Sequence, residues 1–123
     1  MATFMIVEDD AFIREHVVVL VEGWGHSAMS ASDVAEAMLQ LETPVHVDML
    51  ITDVRLKTEP HGGFDLARRA RVLRPALLVL YASGSPATAD KEKLFVAGAR
   101  HVRKPFTEQT LHGAVQQLLG VLQ

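Results

Sequence analysis

VDMLITDVRL, residues 47–56, sets an acid at the end of a run that belongs in a dry interior. Met49, Leu50 and Ile51 follow one another with no polar alternation, the pattern of a strand buried on both faces. Asp53 comes two positions later, and aspartate is among the side chains least often buried without a partner. A carboxylate at the end of a buried strand is either a turn or capping residue or a group positioned for chemistry.

Similar runs occur on either side: FMIV (Phe4–Val7), LLVLY (Leu77–Tyr81) and the weaker pair His101–Val102. A fifth, more polar candidate around Ala28 and Met29 suits a sheet edge. The segments between them have helical spacing. Ile13, Val17 and Leu20 form one stripe and Val34, Met38 and Leu41 a second. Leu66, Ala67, Ala70 and Leu73 form a third, and Leu111, Val115 and Leu118 a fourth. A further helix is expected between Pro86 and Gly98, carried by Leu94, Phe95 and Ala97. Gly23 and Gly25 can end the first helix, Ser32 or Asp33 can cap the second, and Thr107 can cap the last. Alternating strands and helices predict a doubly wound α/β domain with a five-stranded parallel sheet and helices on both faces.

The 123 residues suffice for one domain with one sizeable core, and no repeat or linker interrupts them. A net charge of −3 gives no electrostatic reason to expect nucleic acid, and the absence of cysteine excludes a thiolate metal site or disulfide framework. No apolar run approaches a membrane span and the N-terminus lacks a basic leader, so a cytoplasmic protein is expected.

In an open parallel sheet, ligands bind beyond the carboxyl ends of the strands. At that edge this chain gathers Glu8, Asp9 and Asp10 after the first run, Asp53 after the third strand, Ser83 and Gly84 after the fourth, and Lys104 and Pro105 after the last. Two carboxylates 4 Å apart repel by roughly 4 kcal/mol at an effective dielectric of 20. A hard divalent cation removes that cost, and an all-oxygen site with room for a phosphate suits Mg²⁺. Lys104 would add a second positive charge. A cluster that neutralises incoming negative charge beside a nucleophilic Asp suggests phosphoryl transfer onto Asp53. Each residue also has an ordinary reading: Asp53 as a turn residue, the three acids as company for a helix N-terminus, Ser83-Gly84 as a turn, Lys104 as a surface lysine. Taken singly the ordinary readings win, but together they require four coincidences along one edge.

With these residues in place, the whole chain resembles a response-regulator receiver domain of two-component signalling, the CheY-like group. The resemblance is carried by FMIVEDD, MLITDVRL, LLVLYASG and GARHVRKPFT in that order. It implies the flavodoxin-like strand order 2-1-3-4-5 and a single receiver domain over residues 1–123. It implies that Asp53 accepts a phosphoryl group from a phosphohistidine on a sensor histidine kinase or histidine phosphotransfer protein. Asp9 and Asp53 would bind Mg²⁺ directly, with the backbone carbonyl of Arg55 as a further ligand and Glu8 acting through a water. Lys104, on a Lys-Pro bond usually cis in the family, would pair with the phosphoryl oxygens, and Ser83 would hydrogen-bond one of them. His101 would be the switch aromatic, turning inward after Ser83 moves and altering the face formed by the fourth helix, fifth strand and fifth helix. A homodimer through that face is compatible with the resemblance. Asp10 matches no essential role. The loop after Asp53 is about two residues longer than the family pattern and carries Lys57 where proline is frequent.

On this reading the domain is a switch that catalyses only its own phosphorylation and dephosphorylation, with no nucleic acid or membrane partner. No output domain is expected within these 123 residues, which fit a stand-alone regulator and a receiver cut from a longer protein alike. Two alternatives stand beside it. A pseudo-receiver would keep the fold and be controlled by association alone. An aspartate-nucleophile phosphatase would want a second acid two residues after the nucleophile, where this chain has Arg55. The other histidines show no ligand spacing, Arg68, Arg69, Arg71 and Arg74 read as a solvated helix face, and Trp24 reads as a residue packed at a turn.

Overall fold

A computed structural model describes residues 1–120. Strands and helices alternate as β1 (Thr3–Val7), α1 (Ala11–Gly23), β2 (Ser27–Ala31), α2 (Val34–Leu41), β3 (Met49–Asp53), α3 (Gly62–Leu73), β4 (Leu78–Ser83), α4 (Ala89–Glu92), β5 (Arg100–Arg103) and α5 (Glu108–Gly120). The five strands pair in parallel in the order β2-β1-β3-β4-β5, as the resemblance implies. The first crossover runs one way from β1 and the second runs the other, which opens a crevice beyond the ends of β1 and β3.

The unbroken apolar runs have a simple cause. Side chains alternate across a strand, so Met5 and Val7 of β1 join one core with Leu50 and Tyr81, while Phe4 and Ile6 join a second with Met49 and Leu80. Val34, Met38 and Leu41 of α2 and Phe64, Ala67 and Ala70 of α3 close the first core. Val17 and Val21 of α1 and Leu111, Val115 and Leu118 of α5 close the second. Each large side chain taken fully out of water contributes about 1.5–3 kcal/mol. Leu73, counted in the third stripe by spacing, is instead largely exposed at the end of α3.

Capping residues set the helix starts. Asp10 caps α1, accepting from the amides of Phe12 at 2.9 Å and Ile13 at 3.1 Å. Asp33 rather than Ser32 caps α2, accepting from the Glu36 amide at 2.8 Å. Thr107 accepts from the Thr110 amide at 3.1 Å at the start of α5. Gly25 leaves α1 at φ +92°, a conformation open to glycine. Trp24 packs at this turn, stacked on His112 with ring centroids 4.3 Å apart.

Two expectations need correction. The helix between Pro86 and Gly98 is only the single turn Ala89–Glu92. Leu94, Phe95 and Val96 leave it to pack on the first core, and the Val96 amide donates to the buried Tyr81 hydroxyl at 3.2 Å instead of continuing a helical ladder. The arginines of α3 are not uniformly solvated. Arg71 donates to the carbonyls of Leu77 and Ala97, and Arg74 to those of Leu41 and Thr43, so both tie loop backbone to the helix. No helix among the described residues is long and apolar enough to cross a membrane.

Candidate functional site

The carboxyl ends of β1, β3 and β5 converge on one ion-paired cluster. Lys104, in the turn after β5, places Nζ 2.6 Å from Glu8 Oε1 and 2.6 Å from Asp53 Oδ1. Glu8 and Asp53 are both buried, and Asp9 is exposed beside them. One carboxylate oxygen from each of Glu8, Asp9 and Asp53 lies within 4.8 Å of the other two. The Lys104–Pro105 bond is cis.

Three distant parts of the chain meet here because the parallel register aligns their strand ends. Val7 stands beside Thr52, and Asp53 stands beside Ala82. The backbone behind the acids is also tied down. Arg14 of α1 donates to the Glu8 carbonyl at 2.8 Å, and the Asp10 amide donates to Glu8 Oε2 at 3.2 Å. Asp10 itself faces away as the helix cap, which explains why adjacent acids differ: Asp9 belongs to the cluster and Asp10 to α1.

Two buried carboxyls share one ammonium, so they cannot both hold full charge cheaply. Burial, then Glu8 beside it, pushes the Asp53 carboxyl up to about 8 against the pull of Lys104. Burial also works against the Glu8 charge, but hydrogen bonds with Asp53 and Lys104 outweigh it and draw that carboxyl down to about 2. The two carboxyls are thus driven in opposite directions, Asp53 toward its protonated form and Glu8 toward its charged one.

Three oxygens at this spacing are a donor set for a hard cation, and all are of the type that Mg²⁺ takes. A divalent cation among them would offset the burial and the Glu8 charge that now raise Asp53. The residues present thus fit the metal that the sequence suggests. Beside them opens a cavity of about 490 Å³, whose walls include Asp9, Asp53, Arg55, Ser83, Lys91 and Lys104. It is lined by more cationic than anionic side chains, as an anion would require.

Ser83 and His101 meet at the far wall. Ser83 Oγ lies 2.6 Å from the Ser85 carbonyl oxygen and 2.7 Å from His101 Nε2. A hydroxyl has one proton and a carbonyl can only accept, so Ser83 donates to Ser85 and His101 donates its Nε2–H to Ser83. Burial, then the Lys91 ammonium, lowers the His101 pKa from its ordinary value, which favours the neutral ring. The ring is thus linked directly to Ser83. Unlike a phenylalanine in that place, His101 carries an N–H that already binds the hydroxyl.

Sequence reasoning missed two contributors. The Lys57 amide donates to Asp9 Oδ2 at 3.0 Å, a contact made by backbone and so invisible in residue type. Gly63 sits against the Asp53 carbonyl, where a Cβ would lie 1.9 Å from the oxygen. Its signal was present as the Gly-Gly pair opening the third helical stripe.

Known proteins share this fold. A family model described as the response regulator receiver domain matches residues 4–116. The transcriptional regulatory protein PhoP of Escherichia coli (strain K12) is 32% identical over 116 residues, covering 94% of this chain and 51% of PhoP. The virulence transcriptional regulatory protein PhoP of Salmonella typhimurium (strain LT2) is 32% identical over 120 residues, 97% of this chain and 52% of that protein. The chain thus spans about half the length of these curated relatives. Among solved structures, a response regulator receiver protein from Sinorhizobium medicae WSM419 has a TM-score of 0.87 at 28% identity, with 97% of this chain and 94% of that one covered. Vibrio cholerae CheY4 has a TM-score of 0.86 at 23% identity, covering 96% and 98%, and shares the fold. A five-stranded parallel sheet in the order 2-1-3-4-5 and a model match over nearly its whole length together make this chain a member of the response regulator receiver domain family of two-component systems.

Proposed function

We propose that this domain is a phosphorylation-dependent switch in which Asp53 accepts a phosphoryl group from a phosphohistidine on a partner histidine kinase or phosphotransfer protein. The single observation that carries the reading is the Glu8–Lys104–Asp53 cluster, with Asp9 within ligating distance. Asp53 is the one buried acid that also lines the open cavity, so it is the acid an incoming phosphorus can reach.

The chain's own groups divide the work. Asp53 attacks through a carboxylate oxygen, and the proton that its raised pKa favours passes to the departing imidazole nitrogen. The new bond runs from that oxygen to phosphorus, the P–N bond of the phosphohistidine breaks, and its electron pair stays on the imidazole nitrogen. Mg²⁺ held by Asp9, Asp53 and the Arg55 carbonyl, with Glu8 reaching it through water, would offset charge on the phosphoryl oxygens. Lys104 follows the charge, exchanging Asp53 for a phosphoryl oxygen. Ser83 releases Ser85 and donates its proton to another. His101, already bonded to Ser83 Oγ, is drawn along and carries the change to the surface of α4, β5 and α5. The reaction moves the phosphoryl group from the partner's histidine onto this chain's own aspartate, so the domain is a signalling module and not an enzyme acting on a foreign substrate. The absence of a long apolar helix among the described residues is compatible with the cytoplasmic side, where such a kinase domain would be met.

Incubation with a small acyl phosphate, followed by intact-mass measurement, tests the reading. One phosphoryl group per chain is expected with Mg²⁺ and none after chelation. Mg²⁺-independent labelling, or none at all, would refute it.

The two neighbouring acids give a sharper check. Asp9→Ala is expected to weaken Mg²⁺ binding by more than roughly tenfold, since even groups that merely hold a metal ligand contribute 10–100-fold. Asp10→Ala should leave binding within a few-fold but lower stability by about 1 kcal/mol through loss of the α1 cap. Titration calorimetry beside thermal unfolding separates the two, and equal losses of affinity would contradict the assignment.

A further inference from the structure

The loop between β3 and α3 contains a residue in a conformation its side chain disfavours. Leu56 and Glu59 face each other as an isolated antiparallel bridge, their amides and carbonyls paired at 3.0 and 2.9 Å. Lys57 and Thr58 form the two-residue turn between them, with Lys57 at φ +53°. A positive φ at the first central position of such a turn is the habit of Gly, Asn or Asp. For another L-residue the left-handed conformation is disfavoured, because Cβ crowds the following carbonyl oxygen. Strain of this kind persists where surrounding structure over-determines it, and it gathers at functional sites.

Two contacts hold Lys57 there. Its amide donates to Asp9 Oδ2 at 3.0 Å, and its Nζ lies 2.9 Å from Asp33 Oδ2. Asp33 is itself fixed, because its other carboxylate oxygen caps α2 through the Glu36 amide. Lys57 thereby straps together the loops that follow β1, β2 and β3. As a source of stability the strap is poor. The Lys57 side chain is half-exposed, and an exposed ion pair contributes little, less than the left-handed turn costs. A strained lysine with no net return in stability is accounted for by what its amide does to Asp9.

We infer that Lys57 is a positioning residue for the cation site. The Lys57–Asp33 ion pair locks the turn so that the Lys57 amide fixes the Asp9 carboxylate beside Glu8 and Asp53. The same turn lies two residues beyond Arg55, so it also sets where that backbone carbonyl stands. The inference rests on the reading of the acid cluster as a Mg²⁺ site.

Electrostatics alone makes the opposite forecast, which gives the test its force. An ammonium near a cation site repels the cation, so removing Lys57 should tighten Mg²⁺ binding if charge were all that mattered. Lys57→Asn keeps the amide and tolerates a positive φ but loses the ion pair. Asp33→Asn keeps the α2 cap, since Asn caps as well as Asp, and loses the same ion pair. Mg²⁺ is titrated calorimetrically into wild type and both variants, with thermal midpoints and hydrogen exchange of the residue 57 amide measured in parallel. Both variants are expected to bind Mg²⁺ roughly tenfold more weakly, the lower end of what partners of a metal ligand contribute. Lys57→Asn should at the same time unfold no earlier than wild type, and its residue 57 amide should exchange faster. Unchanged or tighter binding by either variant would overturn the inference while leaving the metal site itself intact. Wild-type protein that takes up no Mg²⁺ would instead overturn the functional reading, and this inference with it.

Discussion

Asp53→Asn is expected to abolish phosphoryl labelling and, in metal-free buffer, to raise the stability of the fold. The first effect follows from removing the nucleophile, because an amide oxygen does not form the acyl phosphate. The second follows from burial. Asp53 is only 7% exposed, and its carboxyl titrates near 8 because burial and Glu8 oppose its charge. Asparagine fills nearly the same volume without that charge, leaving Lys104 to pair with Glu8 alone. A gain of about 1–3 kcal/mol is the scale of relieving one poorly satisfied buried polar group.

The pH dependence has a definite sign. A carboxyl whose folded pKa is raised binds its proton more tightly in the folded state than in the unfolded chain. Between about 4 and about 8 the folded state holds more protons, so the wild-type fold loses stability as pH rises through that window. The variant lacks this loss. Its advantage should therefore widen from pH 4 toward pH 8, and it should shrink when Mg²⁺ is added, because only wild type recovers stability from the metal. Thermal unfolding at several pH values checks this. A variant that is less stable than wild type throughout would mean that Asp53 is a structural acid held by Lys104, and labelling that survives the substitution would remove it from the reaction.

Gly63→Ala should produce the largest loss of stability of any single methyl addition near the site. The added carbon would sit 1.9 Å from the Asp53 carbonyl oxygen, 2.8 Å from its carbonyl carbon and 2.9 Å from the Val54 Cα. All three are backbone atoms of the chain leaving β3, so no side chain can swing aside. Relief requires moving the start of α3 off the sheet, which breaks the 2.8 Å hydrogen bond from the Gly63 amide to the Val54 carbonyl and lifts the fully buried Phe64. Overpacking of this kind costs about 3 kcal/mol, or a fall in Tm of at least ~10 °C for a domain of this size. Gly84→Ala, at the cavity wall, is the control, since nothing lies within 4 Å of a Cβ there. A Gly63 variant that melts with Gly84→Ala would show that the β3–α3 junction is looser than this packing implies.

Much of the fold was legible because its causes are local. A strand covered by helices on both sides must be apolar at every position, and Phe4–Val7, Met49–Ile51 and Leu77–Tyr81 satisfy that without reference to anything else. The failures came from contacts between distant parts of the chain. Spacing gave no warning that Phe95 would turn onto Phe64 and Tyr81, with centroids 5.8 and 4.8 Å away, and so cut the fourth helix to one turn. Arg71 and Arg74 looked like solvated charge because composition does not reveal which loop carbonyls will face a helix.

At the site the division is sharper. Residue order alone determined that Glu8, Asp9, Asp53, Ser83 and Lys104 would share an edge, because a polar residue that ends a buried parallel strand can only emerge there. It did not determine which acid is buried, which caps a helix, or which is pushed toward its protonated form. Those depend on which groups come within about 3 Å of one another: Lys104 and Glu8 are 96 positions apart, and Lys57 and Asp9 are 48 apart. Hydrogen bonds and desolvation act over a few Å of space and take no account of distance along the chain, so the pairings existed only once the sheet had closed.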